Sequence, residues 1–548
     1  MCAPCSSRSS ERSASCSSSP ARTWRTCSWC AGRSEREIAV RAALGGGQGR
    51  IAAQMLTESA VLAVAGGLLG LGLAWAGIRV LLAFQPDSLP RLETVGIDGS
   101  VLLFTLGASL LAAFVFGGAP ALRAARPDLA SSLKDRGSDA GGVRGNKFRT
   151  ALVVAEVGLT MVLLIGAGLM LRSFTNLQQV DPGFDTENVL TASVPLPMFK
   201  YRDENLRVSF FDRLQQRIAA LPGVEAIGGA TPLPLGGGDQ YWVQPYGRDN
   251  ATEEEWSTNR ADYRAALPGY DRAMGIRLIA GRPLTEADNQ PDALPVVVTD
   301  DKLADETWPD EDPIGKGMQI VRFNVETMQL ERASVQVVGV VEHVRSESLT
   351  SEGRGAIYYP YRFFPWWPMT LAIRGTADPS SLVGAIRQEV AAMDPDVPIA
   401  DVRLMQDYVD DAMAQSRFTL MLIGVFSLLA LILASIGLYG VMSYSLRQRV
   451  QEIGVRMAFG AGARSIVALV LRYGIVLSVS GVILGVAVAV VVARAVSSLF
   501  FGVTPTDPVT FIGIPLLLVG VTLFASYIPA RRATRIDPVA ALRGDSRP

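Results

Sequence analysis

The chain has 548 residues, 49% hydrophobic and 19% charged, with 51 Lys and Arg against 52 Asp and Glu, a net charge of −1 and one histidine. That is too apolar for an ordinary soluble protein and fits a membrane protein with a large soluble part. The balanced charge gives no global field for nucleic acid, and a single histidine excludes metal sites built on His pairs and triads that use two.

Residues 1–34 are rich in Ser and Arg and hold all five cysteines, Cys2, Cys5, Cys16, Cys27 and Cys30. Two pairs have CxxC spacing, but no fold signal surrounds them, and zinc or redox work is not expected. No continuous apolar run makes the stretch a signal peptide. Next comes Glu37-Ile38-Ala39-Val40-Arg41-Ala42-Ala43-Leu44-Gly45, which recurs 415 residues on as Glu452-Ile453-Gly454-Val455-Arg456-Met457-Ala458-Phe459-Gly460. The register persists without a gap, so Gly66 and Gly70 fall on Gly481 and Gly485. The chain therefore opens and closes with one module: a charged amphipathic segment, two membrane spans and a basic tail. The closing copy is preceded by an apolar span and the opening copy by Ser, Arg and Cys. The expectation is that residues 1–34 are not authentic, through a frameshift or a wrong start.

Six segments are long and apolar enough to cross a bilayer: 59–83, 100–121, 151–171, 418–443, 467–493 and 508–529. Lys and Arg set their orientation. The link 122–150 carries Arg123, Arg126, Lys134, Arg136, Arg144, Lys147 and Arg149, and the link 444–466 and the tail 530–548 are also basic. The links 84–99 and 495–507 are acidic. The basic set is cytoplasmic, the acidic set lies outside, and residues 172–417 form one exported domain. Arg494 falls at an outer helix end, where it can snorkel. The fold class is membrane α-helical, with about six transmembrane helices and one large extracytoplasmic α/β (α+β) domain.

In the exported domain, strands are expected over 188–194, 335–341, 356–361 and 369–373. A helix over 204–221 places Val208, Phe211, Leu214 and Ile218 on one face. A helix over 380–393 and a strand over 397–402 resemble a small ferredoxin-like element. The run Phe363-Phe364-Pro365-Trp366-Trp367-Pro368 is either a docking surface or a Pro-bounded loop packed on its own domain or on the membrane surface, and a loop of the second kind is favoured. The histidine, His343, follows a strand and reads as solvated or satisfied.

No GxxxxGK[ST] motif occurs, and Gly315-Lys316-Gly317 lacks the required hydroxyl and spacing. Leu44-Gly45-Gly46-Gly47-Gln48 looks like an ATPase signature, but its counterpart Phe459-Gly460-Ala461-Gly462-Ala463 does not. No enzymatic activity, metal or cofactor is expected in the chain itself. ATP, if used, binds another subunit.

In the segment 447–466, Glu452 and Arg456 stand i, i+4, and Gly460 and Gly462 end the helix before the next span. This makes a short amphipathic helix at the membrane surface. A simple interfacial anchor needs only amphipathicity. Retention of the Glu-Ile-x-Val-Arg-x-Ala-x-Gly order in both copies favours a helix that couples to an ATPase through Glu37, Arg41, Gly45, Glu452, Arg456 and Gly460. Glu156 lies within the span 151–171 and is a functional candidate by position. Its nearness to Lys147 and Arg149 at the cytoplasmic end favours a structural pairing.

These motifs, followed by Pro529-Ala530-Arg531-Arg532-Ala533 and Asp537-Pro538-Val539-Ala540-Ala541-Leu542-Arg543, resemble the permease domain of the MacB/FtsX family of ABC transporters over residues 147–548. Ala151-Leu152-Val153-Val154-Ala155-Glu156 and Leu171-Arg172-Ser173-Phe174 resemble the first span of duplicated, two-unit permeases, and residues 35–146 then resemble the second half of a first unit. The resemblance implies a multi-pass protein of the bacterial inner membrane and a separate ATPase dimer docking on the coupling helices. It also implies motion passed to the exported domain rather than substrate passed between the spans. It leaves room for a periplasmic or outer-membrane partner. A complete duplicated permease has eight spans and two exported domains, so the sequence reads as truncated. The competing expectations are a mechanical signalling subunit acting on a periplasmic partner, and a passive membrane-anchored binding protein or a non-functional fragment.

Overall fold

The computed structural model describes residues 48–83, 98–124, 140–236, 242–324, 329–448, 455–457, 459 and 462–533. Two compact units divide at residue 144. In the first unit, α1 (Gln48–Ala83) and α2 (Gly99–Ala124) pack side by side. Gly67 makes the approach close, because a Cβ there would meet Ser109 Oγ at 2.8 Å. Asp98 caps α2 by accepting from the Val101 amide at 2.9 Å and the Ser100 hydroxyl at 2.8 Å.

The second unit holds four long helices and the exported domain. α3 (Ala140–Gln178), α6 (Met405–Gln448), α7 (Ala463–Ala495) and α8 (Pro508–Ala533) contain the expected spans. With α1, five helices of the described residues satisfy the length and apolarity of a span. The described apolar stretch of α2 is the shorter Gly99–Leu111, although its 26 residues rise about 39 Å.

The exported domain is one twelve-stranded sheet. Its first strand, β1 (Val189–Pro195), is followed by α4 (Glu204–Ala219) and β2 (Val224–Thr231). An inserted region supplies β3 (Val243–Pro245), β4 (Gly247–Arg248), β5 (Arg260–Leu267), β6 (Leu278–Gly281), β7 (Val296–Asp300), β8 (Gly317–Asn324), β9 (Gln329–Val341) and β10 (Ala356–Pro360). The chain then returns through β11 (Pro368–Gly375), α5 (Val383–Met393) and β12 (Ala400–Leu404). The order is β12-β1-β11-β2-β5-β10-β7-β9-β8-β4, with β3 on β5 and β6 on β9.

The first four strands of that order, with α4 and α5, make a complete ferredoxin-like unit. The strand–helix–strand element read near residues 380–402 is its second half. The first half, β1–α4–β2, lies ahead of the insertion. α4 buries Val208, Phe211, Leu214 and Ile218 as their spacing requires, along with Phe210 and Arg207, and Asp203 caps it through the Asn205 amide. In β2, Gly228 admits the short helix Tyr270–Met274 directly onto the sheet, since a Cβ there would meet the Tyr270 nitrogen at 2.3 Å.

Two cores cover the two faces. One is built with α4 and α5 and includes Phe211, Leu371 and Ile386. The other joins sheet residues such as Val189, Val298 and Tyr358 to Leu177, Met405 and Tyr408 from the ends of the span helices. The aromatic run 363–367 packs on its own domain: Phe364 lies 4.5 Å from Trp242 between ring centroids, and Trp366 lies 5.0 Å from Trp242. Buried Arg207 threads the run, donating to the carbonyls of Pro365, Tyr201 and Arg202 and stacking 4.6 Å from the Trp367 ring.

Candidate coupling path from the cytoplasmic segment to the exported domain

Two helices enter the exported domain, α3 through the ten residues 179–188 and α6 without a loop. α6 begins at the residue after β12, although its first residues are too polar to belong to a span. Met405 and Tyr408 are buried in the membrane-side core, and the Asp407 carboxylate accepts the Leu404 amide at 3.0 Å. Thr186 Oγ1 donates to Gln406 Oε1 at 2.7 Å, Tyr408 donates to Asp401 at 3.1 Å, and Arg403 pairs with Asp411. The helix then runs 44 residues to Gln448, a rod about 66 Å long at 1.5 Å per residue. α3 also outruns its apolar stretch, at 39 residues and about 58 Å, and ends with Leu177 in the same core.

The outer link between α7 and α8 binds α3 and the exported domain. Arg172 of α3 pairs with Asp507, whose other oxygen caps α8 through the Thr510 amide at 2.8 Å. Asn176 Nδ2 donates to the Gly502 carbonyl at 2.9 Å, and the Phe501 amide donates to Ser173 Oγ at 2.8 Å. The Phe501 ring packs against the membrane-side core of the exported domain. Motion of α8 therefore reaches both α3 and the sheet.

Within the membrane, small residues let backbones touch. A Cβ on Gly481 would meet Val157 Cβ at 2.7 Å, and one on Gly485 would meet Met161 Cβ at 2.5 Å and the Gly158 carbonyl at 2.7 Å. Gly168 sits against Thr510 and Ile514, and Gly474 against Ser526. Hydroxyls add cross-helix bonds: Ser427 Oγ donates to the Leu163 carbonyl at 2.8 Å, and Thr160 Oγ1 reaches the Ala430 carbonyl at 3.3 Å. Glu156 packs on α6, and a Cβ on Gly437 would meet its Oε2 at 2.4 Å. The side chains of Lys147 and Arg149, offered as its partners, lie outside the described residues.

At the inner end, residues 455–457 form a helical turn. Met457 turns inward to Ile466 and Leu446, Arg456 is exposed, and Phe459 is 89% exposed. Glu452 and Gly460, and Glu37, Arg41 and Gly45 of the opening copy, lie outside the described residues. The structure thus places Arg456 and Glu156 and does not bring them together. Of the path's other members, the span glycines Gly158, Gly168, Gly481 and Gly485 were legible as small residues that permit close helix packing, and the outer link was not. At the inner end the available signal was the repeat, which sets Phe459 opposite Leu44 and marks an apolar position at the tip of both segments. Among the described residues no cluster of three or more His, Cys, Asp or Glu could hold a metal.

Long apolar helices, the doubled module and an α/β domain seated on two of the spans define a multi-pass permease-type protein. The FtsX-like permease C-terminal family model matches twice, at residues 27–129 and 424–538, which is the internal repeat, and the MacB-like periplasmic core domain matches residues 151–393. The chain belongs to the MacB/FtsX-like ABC transporter permeases and is a multi-pass protein of the bacterial inner membrane with an extracytoplasmic domain.

It is similar to the pyoverdine export ATP-binding/permease protein PvdT of Pseudomonas syringae pv. tomato, 30% identical over 48% of this chain and 40% of that one. It is also similar to the macrolide export ATP-binding/permease protein MacB of Marinobacter nauticus, 24% identical over 46% of this chain and 38% of that one. The chain thus spans about 40% of the length of these relatives. Among solved structures, the periplasmic region of MacB from Actinobacillus actinomycetemcomitans matches at 17% identity and a TM-score of 0.27, over 42% of this chain and 94% of that one.

Proposed function

We propose that this chain is the permease component of a MacB-type ABC exporter. In this reading a separate ATPase subunit docks on the coupling segments at Glu37, Arg41 and Gly45 and at Glu452, Arg456 and Gly460, and ATP binds only there. ATP-driven rearrangement of the ATPase shifts the inner ends of the spans. The shift passes through α3 and α6 as rods, and through the Arg172–Asp507 link, into the exported domain. Substrate is exported or extracted by movement of that domain rather than through a channel between the spans.

The observation that carries this reading is the unbroken α6, which runs from a sheet-edge strand to Gln448 at the inner end of the span with no break. A helix with its first turn buried in one core and its body in another cannot move at one end alone.

The test is purification of the chain from gently solubilised native membranes, with mass spectrometry and an ATPase assay. The reading predicts recovery of an ABC ATPase with vanadate-sensitive activity. It also predicts that charge reversal at Arg456 or Glu452 abolishes that association while membrane insertion persists. Recovery of the intact chain alone, or association unchanged in both variants, contradicts it.

A further inference from the structure

The coupling path makes no use of the chain's one histidine. His343 follows β9, on a segment that crosses the membrane-side face of the sheet. Its Nδ1 meets Oδ2 of Asp300, a carboxylate with 0% exposure whose Oδ1 already accepts the Leu303 amide at 2.9 Å. Its Nε2 meets the Glu352 carbonyl. Both neighbours are acceptors without a hydrogen to give. A neutral imidazole carries one N–H and can satisfy only one of them, whereas an imidazolium satisfies both.

Other charges face the ring from the elements around it. Asp301 accepts the His343 backbone amide, and Lys302 on the same short helix donates to the Gly353 carbonyl at 2.8 Å and lies 3.7 Å from the Glu352 carboxylate. Glu342, next in the chain, pairs with Arg277 at 3.0 Å. Asp181 on the facing segment accepts the Gly183 amide at 2.9 Å.

The backbone here grips the exit of α3. Gly183, at φ +81°, approaches so closely that a Cβ would meet the His343 carbonyl oxygen at 2.1 Å, and the Arg345 amide donates to the Pro182 carbonyl at 3.0 Å. On the other side, the Ser346 carbonyl accepts the Leu235 amide at 2.8 Å. Residues 343–346 thus tie the point where α3 leaves the membrane to the inserted half of the sheet.

We propose that the Asp300–His343–Glu352 bridge is a protonation-dependent clasp on the junction between the first span of this unit and the exported domain. When the ring is protonated the bridge is closed and the segment 343–353 holds Pro182 and Gly183. On loss of the proton, buried Asp300 retains the remaining N–H on Nδ1, and the Nε2 lone pair is left facing the Glu352 carbonyl. Residues 346–353 then loosen, and α3 is held less firmly.

Burial lowers the histidine's proton affinity, but the hydrogen bond and charge of Asp300 and the Glu352 carbonyl outweigh burial and the Lys302 charge, leaving the pKa above its ordinary value of 6.5. A raised folded pKa contributes stability that is fully present below the unfolded value and is lost as pH rises through the folded value. The clasp therefore closes in acid and opens towards alkaline pH. Its existence is independent of ATP-driven coupling, and only its effect on transport rests on the function proposed above.

The test uses the full chain in lipid nanodiscs without an ATPase, so failure of the clasp is distinguishable from failure of the permease reading. Because the chain has one histidine, 13C-histidine labelling gives one imidazole titration by NMR. Hydrogen exchange is then compared on either side of its midpoint after correction for intrinsic rates. The clasp predicts a midpoint above 6.5, and at least tenfold faster exchange at Arg345 and at residues 350–353 on the alkaline side. His343→Gln should make that exchange independent of pH and equal to the alkaline wild type. If that variant does not fold, Asp300→Asn should lower the midpoint by at least one pH unit, a tenfold change in proton affinity. A midpoint at or below 6.5, or equal protection across it, overturns the proposal.

Discussion

Gly485→Ala tests how tightly the membrane part of the path is built. A Cβ at Gly485 would lie 2.5 Å from Met161 Cβ and 2.7 Å from the Gly158 carbonyl. Relaxed carbon contacts lie at about 3.5–4.0 Å, so α3 and α7 must part by about 1 Å. Overpacking of this kind costs about 1–3 kcal/mol. The same change gains up to about 1 kcal/mol of helix propensity, which obscures the cost. Gly520→Ala supplies the control, because Gly520 is on α8, exposed, with nothing within 4 Å of its added Cβ. Propensity cancels between the two variants, and the difference isolates the contact, with Gly485→Ala less stable by about 1–3 kcal/mol. Reversible unfolding in mixed micelles of increasing SDS fraction gives that difference. Equal stability of the two variants within about 0.5 kcal/mol would refute close packing of α7 on α3.

The other predictions concern the outer link and the exported domain. Asp507→Asn should leave α8 capped but remove the Arg172 ion pair, costing up to about 1 kcal/mol in the same assay, and Asp507→Ala about 1 kcal/mol more through the lost cap. Arg207→Met strands the buried carbonyls of Tyr201 and Pro365 and the part-buried carbonyl of Arg202, and should destabilise the exported domain by about 3 kcal/mol or more, visible as a lower thermal midpoint by tryptophan fluorescence at Trp366 and Trp367. Asp394 is buried, which raises its pKa, but bonds from Lys200 at 2.7 Å and Tyr201 at 2.6 Å outweigh this and hold it below the ordinary range. A depressed folded pKa contributes stability that is present above the unfolded value and lost as pH falls through the folded one, so acid destabilisation below the ordinary carboxylate range should be shallower in Asp394→Asn.

Hydropathy located the spans because lipid demands about twenty consecutive apolar residues, a signal that needs no partner to be read. It did not locate the helix ends. The segment 405–417 contains Asp407, Asp410, Asp411 and Arg417, and it reads as part of a soluble domain although it is the start of α6. Hydropathy reports what faces lipid, whereas the length of the rod is set by backbone hydrogen bonding and by burial of Met405 and Tyr408. In the exported domain, α4 was legible from its 3.6-residue period. β2 was not, since Val224–Thr231 carries two glycines, of which Gly228 admits Tyr270 and Gly229 faces Leu267 and Met369. β5 was hidden by Arg and Ala, residues of low strand propensity that a central position accommodates. The Arg172–Asp507 pair joins residues 335 apart, a contact that neither local pattern nor charge count announces. The repeat alone brought out the coupling segment, and most of its proposed residues lie outside those the structure describes.

The central claim, that α6 carries motion between the cytoplasm and the exported domain, is tested most directly by breaking that helix. A Gly-Gly-Pro insertion after Ala414, between the buried first turns and the membrane, interrupts the rod and leaves both of its ends intact. The measurement is substrate export by the insertion variant, alongside its ATPase association and vanadate-sensitive hydrolysis. The account predicts that association and hydrolysis persist while export is lost. Export at the wild-type rate across the broken helix would contradict it.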